Sequence, residues 1–389
     1  MRKLIFFAVL AIVAAALPDR TLEAQVCDQG TDLARPIELG SAGGNINLSQ
    51  TNSQGIVTGC CSGTLGALVQ GPGGKYILSN NHVLARVNLG KPGEGIIQPG
   101  LIQFGCPDSP PTEDIVAHLS AAAHINFAAN GKNQIDAAIA HIVSGDVSPD
   151  ILNIGPISNK VAPAVINMAV QKMGATTCLT QGIVQSINVD AIGSNGVEYT
   201  DECNSASGTA NFVDQIVVKP SSGVFTAPGD SGSLVVTTGA CPRPVGLLFA
   251  SDASGNAYVN PIRKVLNHFG VSFVAGCTAA STAANADTAA TGDSVSGDSA
   301  DSEAAGFMRI SGISLDAVNY ATAIKARHEK DLFAVPGVAA VGIGASEEPG
   351  VPSIDVYVTE DSPALRAAIP DNLEGAPVKV IVGGPIHAL

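Results

Sequence analysis

The chain contains no tryptophan, and aromatic residues make up only 4% of its 389 positions. Its core must therefore be filled by Val, Ile, Leu and Ala, and the β-branched members of that set favour pleated sheets. Charge is also sparse, at 14% of residues, and the formal net charge is −14. The basic footprint that phosphate backbones require is missing, which argues against nucleic acid as a partner. No C-x-x-C and no His-Glu-x-x-His is present, so neither a zinc ribbon nor a metalloprotease helix is expected, and no metal or cofactor is implied. Gly71-Pro72-Gly73-Gly74 reads as a hairpin turn; it is no phosphate loop, because Lys75 is followed by Tyr76 and not by Ser or Thr. Beyond the N-terminus no apolar run is long enough to span a bilayer.

What the chain does have points to export. Arg2 and Lys3 precede the apolar run Leu4–Leu17, Pro18 breaks it, and Ala24 suits cleavage before Gln25. Residues 1–24 thus read as a signal peptide, giving a secreted or periplasmic protein with no membrane attachment after cleavage. All eight cysteines (Cys27, Cys60, Cys61, Cys106, Cys178, Cys203, Cys241 and Cys277) follow that segment. An even number in an exported chain suggests disulfides, but about 105 connectivities are open. Pairing of chain neighbours, Cys178 with Cys203 and Cys241 with Cys277, is the simplest expectation.

Three regions follow the signal. Residues 25–277 form one domain, in which 25–55 are polar and Gly-rich with one or two short strands at most. From about 56 onward, short apolar runs alternate with turn residues: 63–69, 76–79, 114–119, 137–142, 182–187, 215–218, 233–236 and 244–248. Many short β-rich runs predict a barrel or sandwich. A helix is expected at about 260–270, with Ile262, Val265, Leu266 and Phe269 on one face. Residues 278–305 are Ala, Ser, Thr, Gly and Asp without a basic residue, a flexible linker by composition. Residues 306–389 read as a small two-layer α/β domain of order α-β-β-α-β. Its first helix carries Leu315, Val318, Ile324 and Leu332 behind Ser314, and its second opens at Ser362-Pro363.

Three segments carry the residues that acyl transfer needs. Gly229-Asp230-Ser231-Gly232 lies between a loop and a strand; Ser231 is the candidate nucleophile, and the amides of Gly229 and Ser231 are candidate oxyanion donors. His82 ends the apolar run Tyr76-Ile77-Leu78, the position of a base at a sheet rim. Asp136 precedes the apolar run Ala137–Ala140, where a carboxylate can be buried beside an imidazole; Asp114 stands in a similar context and competes with it. His118, His124, His141, His268, His328 and His387 lack such surroundings and read as structural. The order His82, Asp136, Ser231, with intervals of 54 and 95 residues, is that of chymotrypsin and not of subtilisin or the α/β-hydrolases.

With these residues in hand, the stretch of about 60–275 resembles the trypsin/chymotrypsin-like serine endopeptidases, their bacterial members included. Gly63-Thr64-Leu65 resembles the strand before the catalytic histidine, Gly174–Cys178 with Gly182-Ile183-Val184 the opening of the second barrel, and Tyr258–Ile262 the approach to the C-terminal helix. The resemblance implies a mainly β, chymotrypsin-like double β-barrel with the site between two six-stranded barrels. It implies an endopeptidase acting on a peptide or protein substrate, and a P1 pocket lined by Phe225, Ser251 and Asn256 beside the Phe249 strand. Departures are clear. No Ile-Val-Gly-Gly segment marks an activation terminus, no Cys follows His82, and Phe225 at the charge-selecting position gives no support to Arg or Lys at P1. A neutral, modest-sized P1 residue fits instead. The rival reading is a non-catalytic binding or surface module on the same fold. Residues 306–389 could contact the protease domain as an inhibitor or folding aid, or serve stability or targeting.

Overall fold

The computed structural model describes residues 32–278, except 144, 201, 202, 204 and 275, together with 312–389. The expected signal peptide and nearly all of the expected linker lie outside the described residues.

The first barrel is built from β1 (Ser41–Asn45), β2 (Gly63–Leu65), β3 (Ala67–Gly71), β4 (Gly74–Ser79), helix α1 (Asn81–Leu84), β5 (Gly95–Ile97), β6 (Ile115–Ala122) and β7 (Ala138–Ile142). β2 and β3 act as one broken strand: β2 pairs with β1 and β3 with β4. The path then runs β4–β7–β6–β5–β1, all antiparallel, which closes six strands on themselves. Inward residues such as Leu65, Leu68, Ile77, Ile96, Val116 and Ile139 fill it, with Phe273 the buried aromatic of the cluster.

The N-terminal stretch holds more strand than its composition suggested. Ile37–Leu39, β1 and Ser49–Thr51 make three strands, not one or two. β1 is Ser-Ala-Gly-Gly-Asn, which shows no apolar alternation, yet it is buried throughout. The absence of side chains is what fits it there: a Cβ on Gly43 would lie 2.6 Å from Leu65 Cγ and 2.7 Å from the Ile97 carbonyl oxygen.

The second barrel comprises β8 (Ala169–Gly174), β9 (Cys178–Ala191), β10 (Phe212–Pro220), β11 (Leu234–Thr237), β12 (Pro244–Asp252) and β13 (Ala257–Pro261). The cycle β8–β9–β10–β13–β12–β11–β8 is antiparallel and closed. The chain is therefore mainly β and has the chymotrypsin-like double-barrel architecture. Helix α2 (Ile262–Phe269) buries Ile262 and Val265 and ends on Gly270, whose φ of +64° makes the left-handed C-cap.

The C-terminal segment adds α3 (Leu315–Phe333), β14 (Val338–Ala345), β15 (Pro352–Val358), α4 (Pro363–Ala368), β16 (Ala376–Val382) and β17 (Ile386–Ala388). Ser314 and Ser362 cap the two helices by accepting from the amides of Ala317 and Leu365. β14 pairs with β9 of the second barrel, Ile187 opposite Ile343 and Asp190 opposite Val341, so one sheet runs through both regions. Val318, Ala321 and Ile324 of α3 share an apolar cluster with barrel residues Val184, Ile216 and Val218. Burying each of the Val and Ile side chains contributes about 1.5–3 kcal/mol.

Three disulfides join Cys60 to Cys106, Cys61 to Cys203 and Cys241 to Cys277. The last is the expected neighbour pair. Cys178 does not pair with Cys203: the latter packs with Leu48, Ile97 and Leu101 beside the Cys60–Cys61 segment, where Cys61 meets it. Cys178 is itself disulfide-bonded. Proximity in the chain misled because Cys178 opens a barrel hairpin opposite Gly174, on another face.

Candidate active site

β4 and β7 run side by side with Ser79 opposite Ala138. That register places α1, just after β4, beside the loop just before β7. His82 Nδ1 then lies 2.5 Å from Asp136 Oδ2. Asp136 is fully buried. Its Oδ1 accepts from the amides of Asn81 at 2.7 Å and His82 at 3.3 Å, and its Oδ2 also accepts from the Tyr199 hydroxyl at 2.8 Å. The Asp136 amide donates to Asn260 Oδ1, and Asn80 Nδ2 donates to the Asp136 carbonyl. An ionised carboxylate only accepts, so Nδ1 donates to Asp136; in the neutral imidazole Nε2 is then the base, and only the imidazolium also donates from Nε2 to an oxygen acceptor. Burial, then the neighbouring Asp136 charge, push the Tyr199 phenol well above its ordinary range, which keeps it a donor. Asp114, the competing carboxylate, stands on a short 3-10 turn 3.9 Å from Arg35.

Ser231 comes from the second barrel and lies against the first. Its carbonyl accepts from the Thr64 amide at 2.7 Å, and Thr64 Oγ1 donates to the Gly229 carbonyl at 3.0 Å. Glycine permits this approach: a Cβ on Gly232 would stand 2.1 Å from Ser79 Oγ, and one on Gly229, whose φ is +98°, 2.4 Å from Thr176 Oγ1. The Ser231 hydroxyl donates to the Phe249 carbonyl at 3.3 Å. The Asp230 amide turns back to the Ala227 carbonyl at 3.0 Å, so the amides of Gly229 and Ser231 flank one already committed.

The loop is held by the Asp230 carboxylate. It accepts from the amides of Thr176, Thr177 and Ala227, from the Thr177 hydroxyl, and from Lys172 Nζ at 3.1 Å. Both members of that ion pair are fully buried. Burial pushes the Lys172 ammonium below its ordinary range while Asp230 pulls it back up. A resident lysine of β8 thus supplies the cation, consistent with the lack of an activation terminus in the sequence.

The expected P1 residues divide. Phe225 is buried in the apolar cluster against which Leu389 packs. Phe249 packs on Phe212 at 4.7 Å between ring centres, and its carbonyl faces the site. Ser251 is the half-buried residue of an otherwise buried β12, and it lies opposite His387 of β17. Asn256 is instead committed to Asp252, donating from Nδ2 to Oδ2 at 2.8 Å.

Lys172, Tyr199, Asn260 and Leu389 were missed by sequence reasoning. Lys172 carried a signal, a lone cation at the same side-chain phase as buried Val170 in a short strand. Leu389 carried none, yet His82 Nε2 lies 3.1 Å from its carbonyl oxygen. Among the described residues no cluster of three His, Cys, Asp or Glu is placed to hold a metal ion.

No family model matches this chain, and no curated protein matches its sequence. Solved structures do match, bacterial chymotrypsin-like serine proteases among them. A glutamic acid-specific serine protease, described as using a histidine triad in substrate binding, is 16% identical with a TM-score of 0.40, covering 61% of this chain and 100% of its own. Thermobifida fusca protease A is 17% identical with a TM-score of 0.39, covering 62% and 99%. The Cellulomonas bogoriensis chymotrypsin is 15% identical with a TM-score of 0.36, covering 55% and 90%. The likeness is one of fold; the chemistry of this chain rests on its own residues.

Proposed function

We propose that the chain is an exported serine endopeptidase that hydrolyses peptide bonds through Ser231, His82 and Asp136. The observation that carries this reading is the buried Asp136–His82 contact on one barrel beside a glycine-flanked serine on the other, with Nε2 turned toward a bound main chain. Ser231 Oγ attacks the scissile carbonyl carbon while His82 Nε2 takes its proton. Asp136 holds the imidazole in the required tautomer and balances the imidazolium that forms. The amides of Gly229 and Ser231 receive the oxyanion, a contribution of about 3–4 kcal/mol for each such donor. As the C–N bond breaks, Nε2 passes its proton to the leaving amine. Water then attacks the acyl-enzyme with the same base, releasing the acid and regenerating Ser231. Export is supported by the N-terminal Arg2–Ala24 pattern and by the disulfides.

Fluorophosphonate labelling with mass-spectrometric mapping tests the reading. One adduct at Ser231, lost in Ser231→Ala, is expected; no adduct after prolonged exposure would favour the non-catalytic binding module.

A further inference from the structure

The last residues of the sequence lie in the site as a peptide lies in a protease cleft. β17 is antiparallel to β12, with Ile386 opposite Asp252, His387 opposite Ser251 and Ala388 opposite Ala250. Its other edge meets the strand Val197–Tyr199, where Glu198 is opposite His387 and Glu198 Oε2 stands 3.3 Å from His387 Nδ1. One residue on, the Leu389 amide donates at 3.2 Å to the Phe249 carbonyl, the same oxygen that receives the Ser231 hydroxyl. The Leu389 carbonyl oxygen is 3.1 Å from His82 Nε2, and its side chain packs against the cluster that contains Phe225.

The approach is built rather than incidental. The amides of Gly383 and Gly384 donate to the Val358 carbonyl at 2.9 and 3.1 Å, and the Ser254 amide donates to the Gly383 carbonyl at 3.0 Å. A Cβ on Gly383 would stand 2.4 Å from Asp252 Oδ2, and Gly384 has a φ of +85°. The two glycines let the chain leave β16 and enter the cleft at once.

We infer that Ile386–Leu389 is a self-supplied occupant of the acyl-side subsites, which restrains the enzyme and reports its substrate class: chains with leucine at P1 and a basic or imidazole side chain at P3. The inference rests on the serine-protease reading of the site. Leucine suits the apolar cluster, Phe225 included, against which Leu389 packs, and Glu198 favours a cationic group two residues before it. Tethering raises the restraint, because a segment fixed three residues from β16 acts at an effective concentration in the range of about millimolar, well above ordinary peptide levels.

The test compares the full mature chain, a variant ending at Pro385, and the full-length variant Leu389→Asp, which keeps β17 but sets a charge against the Phe225 cluster. Probe labelling of Ser231 and hydrolysis of acetyl-Ile-His-Ala-X-anilides, with X as Leu, Glu or Lys, are read in all three. Both variants should label and turn over on the order of tenfold faster or more, as expected for loss of a tethered ligand, and should prefer Leu. Labelled variants no faster than the full chain, or faster ones that prefer Glu or Lys, would overturn the inference and leave the protease reading intact. Absence of labelling in every form would overturn the protease reading. In that case calorimetric binding of acetyl-Ile-His-Ala-Leu to the shortened Ser231→Ala variant would sustain only the occupation of this groove by Ile386–Leu389, and no binding would remove that too.

Discussion

Two buried aspartates, one on each wall of the cleft, are satisfied in opposite ways. Asp136 on the first barrel has an imidazole, a phenol and two amides around it. Asp230 on the second has a lysine Nζ, a hydroxyl and three amides. The difference separates chemistry from architecture. A carboxylate beside an imidazole can balance a proton that arrives and departs, whereas one tied to a buried lysine, a hydroxyl and three amides serves to fix a loop. Asp355, at the junction of β15 with the second barrel, forms a third case. It accepts from the Ser186 and Ser353 hydroxyls at 2.6 Å, and burial pushes its pKa up to about 6 despite those hydrogen bonds.

The comparison can be broken most severely at Asp136. Asp136→Asn should leave the fold intact but reverse the tautomer preference, and peptide hydrolysis should drop by about 10⁴-fold at neutral pH. A loss under tenfold would show that Asp136, like Asp230, is structural. Lys172→Met should act on stability first, because it leaves Asp230 charged and unbalanced in the interior; about 3–5 kcal/mol should be lost in denaturant unfolding, with partial recovery in the double variant Lys172→Met/Asp230→Asn. Recovery is what a purely architectural pair predicts.

Asp355 gives a pH signature. Its folded value of about 6 lies above the ordinary 3.8, so the folded chain holds that proton between roughly pH 4 and 6. Its contribution is complete below that window and is lost as pH rises through about 6, at most about 3 kcal/mol. Thermal melting of Asp355→Asn should show a shallower fall between pH 4 and 7 than the parent chain. The smallest effect belongs to Tyr199→Phe, which removes one donor from Asp136 and should lower turnover by about fivefold, or about 1 kcal/mol.

Much of this was legible from sequence because it was local. Short apolar runs rich in Val, Ile and Leu marked barrel strands, Ser314 and Ser362 marked helix starts, and the Ser231 motif with His82 and Asp136 in order pointed to one site. What stayed hidden depends on contacts across long separations. β1 was obscured because its burial demands glycine in place of an apolar pattern. The Cys61–Cys203 bridge spans 142 residues, and nothing local names the partner. The Lys172–Asp230 pair spans 58 residues, and though the phase of Lys172 marks it as inward, nothing local names its partner. The placement of Ile386–Leu389 depends on the pairing of β14 with β9, which positions the whole C-terminal segment before β17 can reach the cleft.

The central claim is that Ser231 is a nucleophile served by His82. Fluorophosphonate labelling of the chain ending at Pro385, beside its His82→Ala and Ser231→Ala variants, tests it most directly. A single adduct on Ser231 that is lost in Ser231→Ala and greatly slowed in His82→Ala is the predicted result. An adduct elsewhere, or equal labelling with and without His82, would contradict it.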